Sequence, residues 1–253
     1  MYLNHERAFT INLCCPVCKN YFLNSEICSY SIFDPDYYTD GYMCYIPTFR
    51  ITRCPKCLSY FNKRHLEHLG KTVHYDDVPK KDRPLLGHVV GYFRKDEPKA
   101  LFIERALEKG LYFPSDVTEE EKHSTYFHLC RDLWHEYNLR RDTVDDIRYT
   151  SLCIELIAIL ESVPNDRTRN LPYKEKMQTI QSAPLTLAEL YRNVGAFDRC
   201  LKILYAMPLK SYDVGLALKI RKEALTGNTR TVFFGQRITR VQLKYFNFIK
   251  KDQ

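Results

Sequence analysis

The chain has no long hydrophobic run. Its most apolar stretch, Leu156-Ile157-Ala158-Ile159-Leu160, falls far short of the ~20 residues needed to span a bilayer. Residues 1–7 lack the basic segment and apolar core of a secretory leader. These two absences lead to the expectation of a soluble, cytoplasmic protein with no membrane association. There is also no His-Glu-x-x-His, no Gly-x-Ser-x-Gly and no glycine-rich nucleotide loop. Gly87 and Gly91 are not followed by the Lys-Ser/Thr pair of a phosphate-binding loop. No catalytic residue is therefore nominated. An enzyme whose site is assembled from residues distant in sequence would leave no such trace.

What is present describes a folded protein. The 253 residues suffice for one or two domains with a real core, and 45% hydrophobic with 27% charged residues is not a disordered composition. Seven of the ten cysteines fall within the first 57 residues. With no leader, and with Cys-x-x-Cys pairing, they point to metal rather than to disulfides. The net charge of +7 is carried by the end of the chain. Residues 219–253 hold 9 basic and 2 acidic residues, whereas residues 71–218 hold 22 and 23.

A short internal repeat is the strongest feature. Cys15-Pro-Val-Cys18-Lys-Asn-Tyr-Phe22 matches Cys54-Pro-Lys-Cys57-Leu-Ser-Tyr-Phe61, a shared Cys-Pro-x-Cys-x-x-Tyr-Phe. Two cysteines three apart wrap a tight knuckle with both sulfurs aimed at one ion, and two knuckles supply the four thiolates of a tetrahedral site. Over residues 12–62 the pattern resembles zinc ribbons and rubredoxin-like knuckle proteins. That resemblance implies one structural zinc ion held by Cys15, Cys18, Cys54 and Cys57. Those families commonly place glycine directly after the second cysteine. Lys19 and Leu58 stand there in this chain, which makes Asn20 and Ser59 the candidates for the strained turn position. The rivals are iron, which would imply a rubredoxin-like electron carrier, a redox disulfide, and a second metal site drawing on Cys28, Cys44, His65 and His68. Cys14, Cys28 and Cys44 read otherwise as buried thiols or strand residues, and Cys130, Cys153 and Cys200 as core.

The expected fold is α+β, mainly α. Residues 1–70 read as a small antiparallel β zinc ribbon. Asp40-Gly41 between aromatic runs signals a hairpin, and residues 49–53 alternate as a strand should. Residues 71–98, with Pro79, Pro84 and Pro98, form a candidate linker or packing segment. Residues 99–253 read as helical. Lys99 to Lys109 ends at Gly110, and Thr118 to Glu121 has capping-box form. Tyr126, Cys130, Leu133 and Tyr137 recur as a buried stripe. Asp145 to Val163 is apolar on several faces and therefore central. Asn165 to Pro184 is polar and interrupted by proline. Helices follow from Leu187 to Met207 and from Tyr212 to Leu225. Leu187, Ala188, Tyr191, Gly195, Phe197, Cys200 and Leu204 resemble a tetratricopeptide-type helix pair. The layout is similar to uncharacterised bacterial proteins that join a double-knuckle ribbon to such helices.

These readings favour a zinc-binding, non-enzymatic adaptor whose helical domain binds a protein or peptide partner. The alternative is a nucleic-acid-binding regulator. It would use the ribbon and the tail from Arg237 to Lys251, in which basic residues interleave with Tyr245, Phe246 and Phe248. The same tail also suits docking on the helical body. His123, His128 and His135 lie along one expected helix and read as a partly exposed face. Asp34, Asp36 and Asp40 form an acidic-aromatic loop, equally a turn or a cation site.

Overall fold

The computed structural model describes residues 7–29, 39–40, 51–68, 73–74, 98–162, 173–207 and 214–232. The Asp40-Gly41 hairpin beyond Asp40, most of the 71–98 segment and the basic tail lie outside these residues. The architecture is small β-sheets toward the N-terminus followed by helices, α+β and mainly α. Chain contacts divide it into two compact units, residues 1–33 with 46–133 and residues 34–45 with 134–253.

In the first unit, β1 (Arg7–Cys14) pairs antiparallel with β2 (Tyr21–Ser29). On its other side β1 pairs with the short β5 (Glu67–His68) and β6 (Val73–His74). A second sheet contains β3 (Ile51–Arg53), β4 (Tyr60–Asn62) and β7 (Leu111–Tyr112). There β3 and β4 run antiparallel, and β7 joins β4 in parallel. Between these strands stands α1 (Lys99–Lys109), which ends at Gly110 as its sequence indicates. Phe102, Ile103 and Ala106 of α1 are buried. Phe102 meets the Tyr60 ring edge-on at 5.2 Å, and Tyr112 meets Phe61 at 5.8 Å.

Helix α2 (Glu119–Leu139) opens with the expected capping box. The Thr118 hydroxyl accepts the Glu121 N–H at 3.2 Å, and the Glu121 carboxylate accepts the Thr118 N–H at 2.9 Å. The Thr118 N–H, with the Thr118 hydroxyl donating to the same carboxylate oxygen at 3.0 Å, holds the Glu121 carboxyl below its ordinary pKa. Cys130, Leu133 and Tyr137 are buried, but Tyr126 is exposed. The stripe therefore starts one turn later than its spacing indicated, because Thr125 is the residue of that turn facing inward, where it accepts a hydrogen bond from Asn62 at 3.2 Å.

The second unit is helical. Its elements are α3 (Asp146–Ser162), α4 (Tyr173–Asn193), α5 (Phe197–Ala206) and α6 (Val214–Leu225), with α4 packing on the other three. Cys153 and Cys200 are core thiols, as their positions on apolar stripes indicated, and burial pushes both up to about 12. Two expectations are corrected. Helix α4 begins at Tyr173 and carries Pro184 inside it, although the segment before Leu187 read as irregular. An interior proline costs a helix about 3 kcal/mol, and tertiary packing, the main source of helix stability in a protein, offsets it here through buried Leu185, Ala188, Leu190 and Tyr191. Nor are all the apolar faces of α3 central. Leu152, Cys153 and Leu156 face the core, while Ile147 and Ile154 stand 77% and 56% exposed.

The turn from α4 to α5 shows why a glycine is needed. Ala196 N–H bonds the Tyr191 carbonyl at 2.8 Å and Gly195 N–H bonds the Arg192 carbonyl at 3.0 Å. This is a Schellman closure whose C′ residue must be left-handed, and Gly195 has φ 79. Asn228 and Gly227 close α6 the same way. No described helix is long and apolar enough to cross a membrane.

Candidate metal centre

The two halves of the sequence repeat fold into the same object. Leu13↔Phe22 and Cys14↔Tyr21 face each other across the first knuckle, and Thr52↔Phe61 and Arg53↔Tyr60 across the second. In both, the first cysteine's N–H bonds a carbonyl five residues ahead, Cys15 to Asn20 and Cys54 to Ser59, each at 2.9 Å. Also in both, the residue after the second cysteine returns its N–H to the first cysteine's carbonyl, Lys19 to Cys15 at 2.8 Å and Leu58 to Cys54 at 3.0 Å. That bond sets its conformation. Lys19 has φ 57 and Leu58 φ 60. The strained position is therefore held by Lys19 and Leu58, not by Asn20 and Ser59.

A left-handed side-chain-bearing residue costs roughly 1–2 kcal/mol. Leu58 is 47% exposed and contributes little packing. Leu58→Gly is expected to raise stability by about 1 kcal/mol in urea unfolding, glycine's chain-entropy cost being smaller than the strain removed. A loss instead would show that the Leu58 side chain packs more than its exposure indicates.

The knuckles bring four sulfurs together. The ligand atoms of Cys15, Cys18, Cys54 and Cys57 all lie within 4.8 Å of one another and could hold a metal ion. Two pairs join opposite knuckles, Cys15 to Cys57 and Cys18 to Cys54, each at 3.6 Å. A tetrahedron with metal–sulfur bonds of about 2.3 Å has edges of about 3.8 Å, so the donor set fits such an ion. Cys15 and Cys54 are fully buried, Cys18 and Cys57 partly so. Burial pushes the Cys15 thiol up to about 12, against the backbone N–H groups of Cys18 and Val17, and raises Cys54 in the same way. At Cys57 burial also acts upward, but it is outweighed by the Ser59 hydroxyl 3.3 Å away, the Ser59 N–H and the neighbouring thiols, giving about 6. Ser59 was not nominated as a contributor to the site, though its place two residues after a knuckle cysteine was the signal.

The repeat also exposes a mismatch. Leu13 and Thr52 occupy equivalent, fully buried positions, and among the described residues the Thr52 hydroxyl has no hydrogen-bond partner. A buried unsatisfied hydroxyl costs about 1–3 kcal/mol. Thr52→Val is expected to raise the unfolding free energy by about 1 kcal/mol, read from a denaturant midpoint. A drop would mean that the hydroxyl has a partner after all.

The remaining candidates are dispersed or lie elsewhere. His65 packs its ring edge-on against Phe113 at 6.1 Å and is not in the cysteine group. Cys28 and His68 are placed in β2 and β5. Cys44, Asp34, Asp36 and the 237–251 tail lie outside the described residues. Among the described residues the four cysteines are the only group with metal-ligand clustering. Asp40 is not a solvent-facing turn residue. It is buried, with Oδ2 3.0 Å from His135 Nδ1 and accepting from Asn138 at 2.8 Å. His135 is therefore buried too, rather than on an exposed face with His128.

A second buried polar cluster had no counterpart in the sequence reading. Glu189 and Arg192 are fully buried on α4, with Arg192 Nε donating to Glu189 at 2.7 Å. The Thr39 hydroxyl donates to the same carboxylate at 2.5 Å, and Arg192 also reaches the Asn228 carbonyl. Compared with known protein families, curated proteins and solved structures, the chain matches none.

Proposed function

We propose that the chain is a zinc-binding, non-enzymatic adaptor of the cytoplasm. In this reading one structural zinc is held by Cys15, Cys18, Cys54 and Cys57, and a tetratricopeptide-like helical domain carries the surface for a protein partner. Zinc is preferred to iron because four thiolates closed around one ion are a usual structural zinc set, and a structural role needs no redox-active ion. Ala188, Tyr191, Cys200 and Leu204 are buried around the Gly195 turn, which supports the helix-pair likeness.

One observation carries the interaction reading. Ile147 and Ile154 are seven residues, about two turns, apart on one face of α3, and both are exposed. Large apolar side chains held in register on a helix surface suit a protein contact. The test is affinity purification of the full chain beside an Ile147→Asp, Ile154→Asp variant of unchanged circular dichroism. A co-purifying protein lost in the variant supports the adaptor. An unchanged set of co-purifying proteins overturns it. Elemental analysis of the same samples tests the metal, with one zinc per chain expected and iron pointing to electron transfer.

A further inference from the structure

The two knuckles are copies in backbone, yet their surroundings differ. The second is completed from within the chain. β7 pairs along the open side of β4, with Tyr60↔Leu111 and Phe61↔Tyr112 in register. Phe102 of α1 covers Tyr60, and the Arg53 guanidinium lies over both rings at 5.7 and 5.8 Å. Tyr60 is left 1% exposed. Its twin in the first knuckle is Tyr21, 39 residues earlier in the repeat. Tyr21 is 66% exposed, and among the described residues β2 pairs with β1 alone. The strand that corresponds to β4 thus lacks, among those residues, both its third strand and its aromatic cover.

The surroundings of Tyr21 indicate what fits there. In the same knuckle Val17 is 47% exposed, and Lys19, two residues before Tyr21, is exposed. Residues 12–22 contain Lys19 and no aspartate or glutamate, and the one charged residue of β2 is Glu26, five residues beyond Tyr21. The knuckle end of the edge is therefore apolar with positive charge at Lys19, and the complementary ligand there is apolar with an acidic group. The aliphatic Val17, together with a twin site filled by polypeptide, favours protein over a stacked nucleic-acid base.

We propose that Tyr21 and the outer edge of β2 dock an acidic polypeptide segment of a partner protein, which adds as a strand beside β2 and lays an apolar side chain on the Tyr21 ring. The mode is strand addition, in which main-chain bonds supply affinity and side-chain pockets supply selectivity. It places a second contact surface on the ribbon, independent of the helical one.

The filled twin supplies the probe. A fluorescein-labelled synthetic peptide of residues 98–113, with Lys99 and Lys109 replaced by glutamate, is titrated by anisotropy against the full-length, metal-loaded protein. A labelled twenty-nucleotide oligothymidylate is titrated in parallel. Saturable peptide binding is expected. It should weaken about tenfold in Tyr21→Ala, the size of a lost aromatic contact, and weaken also in Lys19→Glu. It should be unchanged in Tyr126→Ala, which removes another exposed tyrosine. Metal content and circular dichroism of Tyr21→Ala serve as the fold control. Absent peptide binding, or binding indifferent to Tyr21→Ala, overturns the proposal. Oligonucleotide binding lost in Tyr21→Ala without peptide binding would make the face a nucleic-acid surface instead.

Discussion

On the proposed zinc site, Cys54→Ser is expected to release the ion and unfold the knuckles, the largest effect of any single substitution in the first unit. A serine hydroxyl does not ionise near neutral pH and is a hard oxygen donor, so three thiolates remain where four are required. Structural zinc contributes on the order of 10–16 kcal/mol in small finger peptides. A loss of even half of that rivals the whole stability of an ordinary domain, about 5–15 kcal/mol. Both knuckles should be affected together, because sulfur pairs 3.6 Å apart cross between them. The expected readout is metal content falling from one ion per chain to near none, with new protease cleavage within residues 12–62. The helical circular dichroism signal should largely survive, since Leu156, Leu190, Leu204 and Ile220 form buried packing of their own in the second unit. Cys153→Ser, a core thiol remote in sequence from the knuckles, should retain its metal. Full metal content in Cys54→Ser, or equal loss in both variants, would remove the cysteine cluster from the account.

The four-cysteine cluster was legible because metal chemistry writes itself into spacing. Cys-x-x-Cys is the short solution for aiming two sulfurs at one point, and a second copy with the same flanking Tyr-Phe states that both halves serve one site. The turn position was misread for a local reason. Asparagine tolerates the left-handed region better than lysine or leucine, which pointed to Asn20 and away from Lys19. In the knuckle the decision belongs to the hydrogen bond back to Cys15 or Cys54, and that bond falls on the residue directly after the second cysteine. Propensity lost to ring closure.

The helices were legible to the extent that caps and stripes are local. Gly110, Gly195 and the Thr118–Glu121 box stand where their chemistry indicated. Pro184 misled because proline is read as a break, whereas a helix packed on its neighbours, as this one is through Leu185, Ala188 and Leu190, can carry one. The apolar run on α3 read as apolar on several faces and central, but only packing decides which isoleucines are buried. Ile157 is and Ile154 is not. Thr39 and Asp40 were the least legible of all. As residues beside a glycine they signal a turn at the surface, and nothing local reveals that each is buried against side chains 95 to 150 positions away.

Breaking the Glu189–Arg192 pair is the second large effect, and its size follows from burial. Both side chains have no exposed surface. Burial drives the Glu189 carboxyl above its ordinary pKa, against the bonds from Arg192 and Thr39; Arg192, desolvated as well, is held protonated by Glu189. Removing one member leaves the other as an uncompensated group in the interior, which costs about 3–5 kcal/mol. Arg192→Met and Glu189→Leu should each lower the unfolding free energy by about that amount. The double substitution should not lower it by the sum. It removes both charges and fills the space with apolar atoms, a change that is often neutral. Here it still strips a partner from the Thr39 hydroxyl and from the Asn228 carbonyl, so a residual cost of about 1–2 kcal/mol is expected. A double-mutant cycle by urea unfolding would therefore give a coupling of several kcal/mol. The pair also fastens two distant segments to α4, since Thr39 N–H bonds the Val232 carbonyl at 2.9 Å and Val232 N–H bonds the Thr39 hydroxyl at 3.0 Å. In Arg192→Met, amide exchange at Thr39 and Val232 should accelerate more than in the core of α5. Additive losses in the cycle, or uniform exchange across the second unit, would show that Arg192 is ordinary packing and not the fastening of those segments.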